Sequence, residues 1–491
     1  MRLTRLKIIC LAVTAVLHIF CIAQSNTKAP VLKAAAAQHD FDMLRKALEE
    51  AHGGLYRFSS KADINQKFND YRKRIDDHDF TQSEFISLLS EMLAGLKDGH
   101  MRLEYDPETA LALSNAKLFP FAVLIEGSKL KILYNESAED STISAGMEVI
   151  SINGNNTQQL IPQLLQKIPG DGFIETGKAR QLERNFSQRY WLFKDRSGEF
   201  TIVVKTSTGE LLNKKIIGVL GADRQKNRAK NSANKQILRS MNLLAPAKEN
   251  ISLRYLNNRS IGLISIRSFE GQNFIPTLDS IFIELKTNKV KSLILDLRDN
   301  GGGVDNYGAN LVSHFVNKPF RYFDRIHLPT INPSFTTYVP GTYTDLKNGT
   351  VPDPKGGYFV TEKLHTGVGI QNPFHSPFTG SLIVLLNGGT FSTAADVTAT
   401  LHNLKRAVFI GEESGGGYNG NTSGLNALLK LPNSKLNLKI HLYEYFNAVT
   451  NPEKGRGTVP EYFIERKVID LLQAKDKPLE KARQLLMRAG N

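Results

Sequence analysis

A serine lies where an apolar strand gives way to a helix in the stretch "LLNGGTFSTAADV", residues 385–397. Ser392 follows "SLIVLLNGG" and precedes the helical run "TAADVTATLHNL", so the turn exposes its hydroxyl close to a helix N-terminus. The N–H of Thr393 stands beside it as a candidate donor to an oxyanion. This setting predicts a nucleophile at Ser392, and helix N-capping is the alternative role for a serine there.

A second loop with the composition of a site is the glycine-rich "DLRDNGGGVD", which also follows a buried strand. Glycines before a helix let backbone N–H groups point at an anion without obstruction by side chains. The loop lacks the lysine and hydroxyl of a phosphate-binding P-loop, so we predict an oxyanion hole at Gly302 or Gly303, with a simple tight turn as the alternative. The G-x-S-x-G pattern is absent around Ser392, which disfavours an ordinary α/β-hydrolase.

The first region expected to support these two loops is helical. Residues 36–105 carry helical spacing and predict an N-terminal helical bundle, in which Thr81 caps a helix and Glu84 completes a capping box. The bundle ends in "LKDGHMRLEY", where Gly99 is expected to stop the helix and a strand resumes. His100 therefore lies between the last predicted helix of the bundle and the strand that follows it.

Residues 115–210 alternate short apolar runs with turns and predict a β-rich module. The run "ISAGMEVISINGNNTQQLI" resembles a PDZ domain, and such modules bind extended peptides at a strand edge. Any half-exposed β-sandwich gives the same alternation. The basic segment that follows, "GADRQKNRAKNSANKQ", reads as a solvated linker.

From residue 251 to 475 the pattern changes to buried strands alternating with helices, typical of a sheet covered on both faces. We therefore predict an α/β core. Residues 321–380, rich in Pro, Gly, Thr and aromatic residues, lack periodicity and read as an excursion over that core.

Residues 1–24 have the pattern of a secretory signal peptide, with three basic residues before an apolar run. A membrane anchor and a lipid-modified Cys21 are the alternatives. Both cysteines, Cys10 and Cys21, lie in this segment, so the exported chain would hold neither a disulfide nor a cysteine-ligated metal. We expect export to the periplasm or cell envelope, or secretion, with no stable membrane span after signal removal.

The net charge of +14 favours acidic partners, but the basic residues form no concentrated stripe interleaved with aromatic residues. Nucleic-acid binding is therefore disfavoured. Solubility and adhesion to the envelope are sufficient explanations of the charge.

The ordered set of "LKDGH", the PDZ-like run, "LILDLRDNGGG", "NGGTFSTAAD", "GEESGGG" and "GRGTVPE" resembles the serine peptidase family of C-terminal processing peptidases and the tricorn protease core. The resemblance spans nearly the whole exported chain. It implies a crotonase-like (ClpP/crotonase) α/β core with a serine nucleophile at the position of Ser392.

Members of this family differ in how the serine is activated. Processing peptidases use a lysine in a downstream loop, where this sequence has Gly416 and Gly417. Tricorn-like members use an N-terminal histidine, which matches His100, and a later glutamate that orients it. The residue before the histidine is Gly99, where the tricorn core has a serine. Histidine titrates near neutral pH and can accept the proton of a serine hydroxyl.

The orienting acid implied by the resemblance is Glu453 in "TNPEKGRGTVPE". Glu444 and Glu461 are alternatives, because small gaps move the match.

The resemblance implies an exported serine endopeptidase or tail-specific peptidase that works through an acyl-enzyme and requires no cofactor or metal. Its substrate would be a peptide or unfolded protein, including a C-terminal tail. The main alternative is a non-catalytic protein on the same fold that binds an apolar ligand or a peptide. An esterase using the same residues is a second alternative.

Overall fold

The computed structural model describes residues 31–76, 78–244, 249–336, 342–450 and 453–489. The predicted signal peptide lies outside these residues. No helix within the described ranges is both long and apolar enough to cross a membrane. The architecture is mixed α/β.

Three helices and short strands form the N-terminal part. They are β1 (Val31–Leu32), α1 (Ala34–Ala51), α2 (Lys61–Asp76), β2 (Phe80–Thr81), α3 (Gln82–Ala94) and β3 (Arg102–Glu104). The predicted capping box is confirmed, since Glu84 N–H donates to the Thr81 hydroxyl and the Glu84 carboxylate accepts from Thr81 N–H. The helix ends earlier than predicted, at Gly95 rather than Gly99.

The middle of the chain is an antiparallel sheet covered by helices. The elements of this region are α4 (Pro107–Ser114), β4 (Lys117–Leu118), β5 (Phe121–Glu126), β6 (Lys129–Asn135), β7 (Glu148–Ile152), β8 (Asn155–Asn156), α5 (Thr157–Leu165), α6 (Glu175–Phe193), β9 (Glu199–Lys205), β10 (Leu211–Ile217) and β11 (Val219–Leu220). The strand order in the sheet is β10-β9-β7-β6-β5. Apolar residues of the sheet and of α5 and α6 form one buried cluster.

The basic segment predicted to be a solvated linker is helical instead, with α7 (Arg224–Lys230) and α8 (Lys235–Leu244). Arg224 and Arg228 both pair with the carboxylate of Glu136, which is fully buried. A buried carboxylate requires partners of opposite charge, and this requirement explains why the segment folds against the sheet.

The C-terminal half contains two large sheets and one two-stranded sheet, within the described residues. Its elements are β12 (Ile251–Leu256), β13 (Ile261–Ile266), α9 (Phe274–Thr287), β14 (Ser292–Asp296), α10 (Asp305–Ser313), β15 (Phe320–Arg321), β16 (Phe323–Leu328), α11 (Thr342–Gly349), β17 (Thr350–Pro352), β18 (Tyr358–Val360), β19 (Ile370–Gln371), β20 (Ser381–Leu386), α12 (Thr393–Asn403), β21 (Val408–Gly411), β22 (Thr422–Lys430), β23 (Asn437–Asn447), β24 (Tyr462–Phe463), α13 (Val468–Leu472) and α14 (Lys477–Ala489). Short 3₁₀ helices occur at Gly221–Asp223, Ser232–Asn234 and Thr366–Val368.

The first of these sheets has the order β12-β13-β14-β20-β21-β24 and is parallel from β13 onward. Helices α9, α10 and α12 contribute to the apolar cluster on one face, and α14 covers the other. Burial on both faces explains the continuous apolar runs of β13 and β20. This agrees with the predicted α/β core.

The second sheet has the order β17-β18-β16-β23-β22, and β3 pairs with β23. Strands β16 to β18 come from residues 321–380, so the segment predicted to be an excursion supplies part of a sheet. The N-terminal helices bury their apolar faces against Leu429, Leu438 and Ile440 of the β22–β23 hairpin. The helical layer and the C-terminal half therefore share one core.

This shared core makes Leu438 important for stability. Leu438 is fully buried between the helices and the hairpin, and Leu438→Ala should lower the free energy of unfolding by about 2–5 kcal/mol. Leu211, which is 61% exposed, is the matched control, and Leu211→Ala should change it by less than about 0.5 kcal/mol. Denaturant unfolding measures both, and equal effects would contradict a shared core.

Candidate active site

The backbone at Ser392 is strained. Ser392 lies six residues after the end of β20 and immediately before α12, with φ 51° and ψ −130°. A non-glycine residue in this region costs about 1–3 kcal/mol, and such strain is concentrated at functional sites. Its side chain makes no capping hydrogen bond to α12. The N-capping alternative is therefore not supported, and the hydroxyl is free to face a cavity.

Ser392 and His100 line the same cavity, which has a volume of about 430 Å³. The two residues come from opposite ends of the chain, from the α12 junction and from the turn before β3. Further residues of the lining are Phe391, Asp305, His365 and His441.

The imidazole of His100 is held by packing rather than by hydrogen bonds. Its ring centroid is 4.5 Å from that of Phe391. Both ring nitrogens are buried, and neither has a hydrogen-bond partner within the described residues. Burial lowers the pKa of His100 to about 4, although the charge of Asp98 opposes this shift. The ring is therefore neutral at neutral pH and can accept a proton.

Asp98 anchors the backbone of His100. One carboxylate oxygen of Asp98 accepts from His100 N–H at 2.8 Å, and the other contacts His52 Nε2 at 2.8 Å. Because Gly54 N–H donates to Nδ1 of His52, Nε2 of that ring carries the hydrogen and donates to Asp98. Burial raises the pKa of Asp98, but the hydrogen bond from His52 opposes burial, and the pKa lies below its ordinary value.

Asp171 joins the His100 turn to the glycine-rich loop after β21. Its carboxylate accepts from Gly99 N–H at 2.7 Å and from Gly417 N–H at 3.2 Å. Burial raises the pKa of Asp171 to about 7, and the charge of Asp98 acts in the same direction. Ligand atoms of Asp98, His100 and Asp171 lie within 4.8 Å of one another, so these three residues could also hold a metal ion.

The three backbone groups predicted to bind an oxyanion differ in their availability. Gly302 N–H already donates to the Asn300 side chain at 2.9 Å. The N–H groups of Gly303 and Thr393 make no hydrogen bond to any described residue. A Cβ on Gly302 would lie 2.7 Å from Cβ of Ser392, so only glycine lets this loop lie against the serine. Gly303 and Thr393 are therefore the available donors.

Glycines occupy two positions, Gly99 and Gly416, at which the resemblance implies larger side chains. A Cβ on Gly416 would lie 2.6 Å from Cβ of Ala395, which leaves no room for a lysine there. A Cβ on Gly99 would lie 2.9 Å from both the Phe391 ring and the Asp171 carboxylate. Tight packing around Gly99 therefore leaves little room for the serine that the resemblance implies at this position.

The geometry does not bring Glu453 to His100. The Glu453 side chain is 73% exposed, and its nearest charged partner is Arg456 at 3.6 Å. The two alternatives also have other partners: Glu444 pairs with Arg57, and Glu461 accepts from Phe409 N–H at 2.7 Å. The prediction of an orienting glutamate in this set is not supported, and Asp98 is the acid that accepts from the backbone of His100 itself.

Sequence reasoning missed the two other histidines of the cavity. Strand β3 pairs with β23 so that Arg102 faces Lys439, and the same register continued by two residues sets His441 opposite His100. Their ring centroids are 5.8 Å apart. His365 instead contacts Asp305 at 3.2 Å through Nε2 and accepts from a backbone N–H at Nδ1, so both of its ring nitrogens are occupied.

Comparisons with known proteins are consistent with this fold. Mature CPAF superposes with a TM-score of 0.62 at 14% identity over 92% of this chain and 96% of that chain. Mature CPAF complexed with lactacystin gives a TM-score of 0.63 at 14% identity, with 92% and 97% covered. The photosystem II D1 C-terminal processing protease gives 0.41 at 15% identity, with 87% and 93% covered. At these identities the CPAF similarity supports the fold alone.

Sequence comparison identifies a family to which part of the chain is similar. None of the curated proteins matches the chain. Residues 260–464, which include both glycine-rich loops and Ser392, match the model of peptidase family S41. Over these residues the chain is similar to peptidase family S41, a family of serine-type peptidases.

Proposed function

We propose that the chain is an exported serine endopeptidase or tail-specific peptidase in which Ser392 is the nucleophile and His100 the general base. One observation carries the proposal: a strained serine and a neutral histidine line one cavity. A serine hydroxyl is a weak nucleophile until a neighbouring base takes its proton. A neutral imidazole has a free nitrogen lone pair that can accept that proton.

The reaction follows from the positions of these groups. As Oγ of Ser392 attacks the peptide carbonyl carbon, His100 takes the hydroxyl proton, and the N–H groups of Gly303 and Thr393 bind the oxyanion. The C–N bond then breaks, and His100 gives its proton to the leaving amine. Water attacks the resulting acyl-enzyme ester, with His100 again taking a proton, and the acid product leaves with Ser392 restored.

Asp98 takes the positioning role that the sequence suggested for Glu453. It holds the backbone of His100, and its charge is the largest influence that favours protonation of that ring. A carboxylate there stabilises the imidazolium that forms during each proton transfer. His52, which donates to the other oxygen, keeps the carboxylate in place.

The proposal also assigns a role to each of the other predicted regions. Residues 36–105 bring His100 to a crotonase-like core formed by residues 251–475. Residues 115–210, with their PDZ-like pattern, hold an extended peptide or C-terminal tail. The signal-peptide pattern of residues 1–24 supports export to the periplasm or envelope.

The nucleophile and base are tested by substitution. Ser392→Ala and His100→Ala should each lower kcat/KM for peptide hydrolysis by roughly 10²-fold or more, because each removes one partner of the proton transfer. His375→Ala is the matched control, since His375 is exposed and does not line the cavity. Full activity in folded Ser392→Ala would exclude this nucleophile.

The pH dependence follows from the burial of His100. The base must be neutral, and because burial lowers its pKa to about 4, kcat/KM should persist below pH 6.5 and fall toward pH 4. Asp171, whose pKa is raised to about 7, is protonated before the histidine titrates. Initial rates from pH 3.5 to 8 measure the acid limb. A midpoint at the ordinary histidine value of about 6.5 would contradict a buried base.

The assignment of the acid is tested by comparing two carboxylates. Asp98→Asn should lower kcat by roughly 10²–10⁴-fold, because the imidazolium loses the adjacent charge. Glu453→Gln should change kcat by less than about twofold, because that side chain is exposed and away from the cavity. Circular dichroism checks the fold of both variants. A larger loss of kcat in Glu453→Gln than in Asp98→Asn would support Glu453 as the orienting acid instead.

A further inference from the structure

A second cavity, with a volume of about 410 Å³, adjoins the Ser392 cavity. Arg102, Gly301 and Phe391 line both. Its size lies in the range of ligand pockets, roughly 300–1,000 Å³. A peptide whose scissile carbonyl reaches Ser392 can therefore continue past Arg102 into this space.

The lining of the second cavity is basic. Five cationic side chains contribute to it, and no aspartate or glutamate of the described ranges does. The five are Lys167, Arg102, Arg180, Arg184 and Arg189. Such one-sided charge in a concave, partly water-excluded site attracts anions and strengthens their binding.

Three of the five cations already have carboxylate partners. Lys167 pairs with Glu91, and Arg180 and Arg184 pair with other acids. Arg102 and Arg189 have none among the described residues, and Arg189 donates only to the hydroxyl of Tyr105 at 3.3 Å. These two guanidinium groups are thus available to a ligand.

Helix α6 forms one wall of the second cavity and contributes polar side chains to its lining. In α6, Gln181, Asn185 and Gln188 lie on one face, at helical spacing, and all line the cavity. The helix departs from helical geometry at Asn185, with φ −123° and ψ 19°. Helix α6 therefore presents polar side chains to the cavity that adjoins the Ser392 cavity.

We propose that this cavity is a subsite that binds a carboxylate of the substrate through Arg102 and Arg189. The inference rests on the proposed peptidase function and adds a substrate class, namely peptides that place an acidic side chain close to the scissile bond. Arginine suits this task because its planar fork of donors matches a carboxylate.

Peptide binding to the Ser392→Ala variant tests the subsite without requiring turnover. Fluorescein-labelled alanine-based peptides carry Glu or Gln at each position in turn, and each is made with a free or an amidated C-terminus. Replacement of the bound carboxylate should raise Kd about tenfold, as expected for a hydrogen bond to a charged group. A Glu-to-Gln effect at one position supports recognition of a side-chain carboxylate, and an effect of amidation alone would overturn it.

Arginine variants assign the effect to the cavity. In the Ser392→Ala background, Arg102→Gln combined with Arg189→Gln should abolish the preference for the carboxylate, whereas Arg239→Gln, at an exposed position of α8, should keep it. Equal affinity for all charged and neutral peptides, or a preference that survives the double substitution, would overturn the inference. Hydrolysis of a neutral peptide by the wild type reports separately on the proposed function.

Discussion

The antiparallel pairing of β3 with β23 is the contact on which the site depends. Arg102–Glu104 pair with Asn437–Lys439, and this short ladder fixes the N-terminal turn against a strand of the C-terminal half. The helices support the pairing by burying their apolar faces on the same hairpin. Because the ring itself makes no hydrogen bond to the described chain, its position relative to Ser392 depends on this pairing, on the packing against Phe391 and on the backbone hydrogen bond to Asp98.

Close backbone packing defines the rest of the site. The strained turn at Ser392 is enclosed by two glycine-rich loops, with Gly302 on one side and Gly416 on the other. The surrounding contacts compensate for the strain at the serine, which is how such conformations persist in folded proteins. Asp171 joins the second loop to the His100 turn, so a movement of either loop is transmitted to the base.

Local patterns were sufficient to predict the parts of the molecule that depend on neighbours in sequence. The continuous apolar runs of β13 and β20 indicated a sheet covered on both faces, and the strand–turn–helix junction indicated Ser392. Asp98 could also be predicted from the sequence, because it lies in the same "KDGH" motif as His100. The resemblance instead implies a glutamate from a distant loop.

Features set by long-range pairing could not be predicted in this way. His441 enters the cavity only because β23 pairs with β3, and nothing within its own strand indicates that register. The basic segment after the middle sheet looked solvated because its partner, the buried Glu136, lies nearly 90 residues earlier in the chain. In both cases a contact remote in sequence overrode the local composition.

The most direct test of the account is fluorophosphonate labelling of the purified protein, with the adduct mapped by mass spectrometry. This reagent reports an activated serine without any assumption about substrate. The account predicts a single adduct on Ser392 in the wild type and its loss in folded His100→Gln. An adduct on another serine, or no adduct on a folded wild type, would contradict the assignment of Ser392 and His100 as the reacting pair.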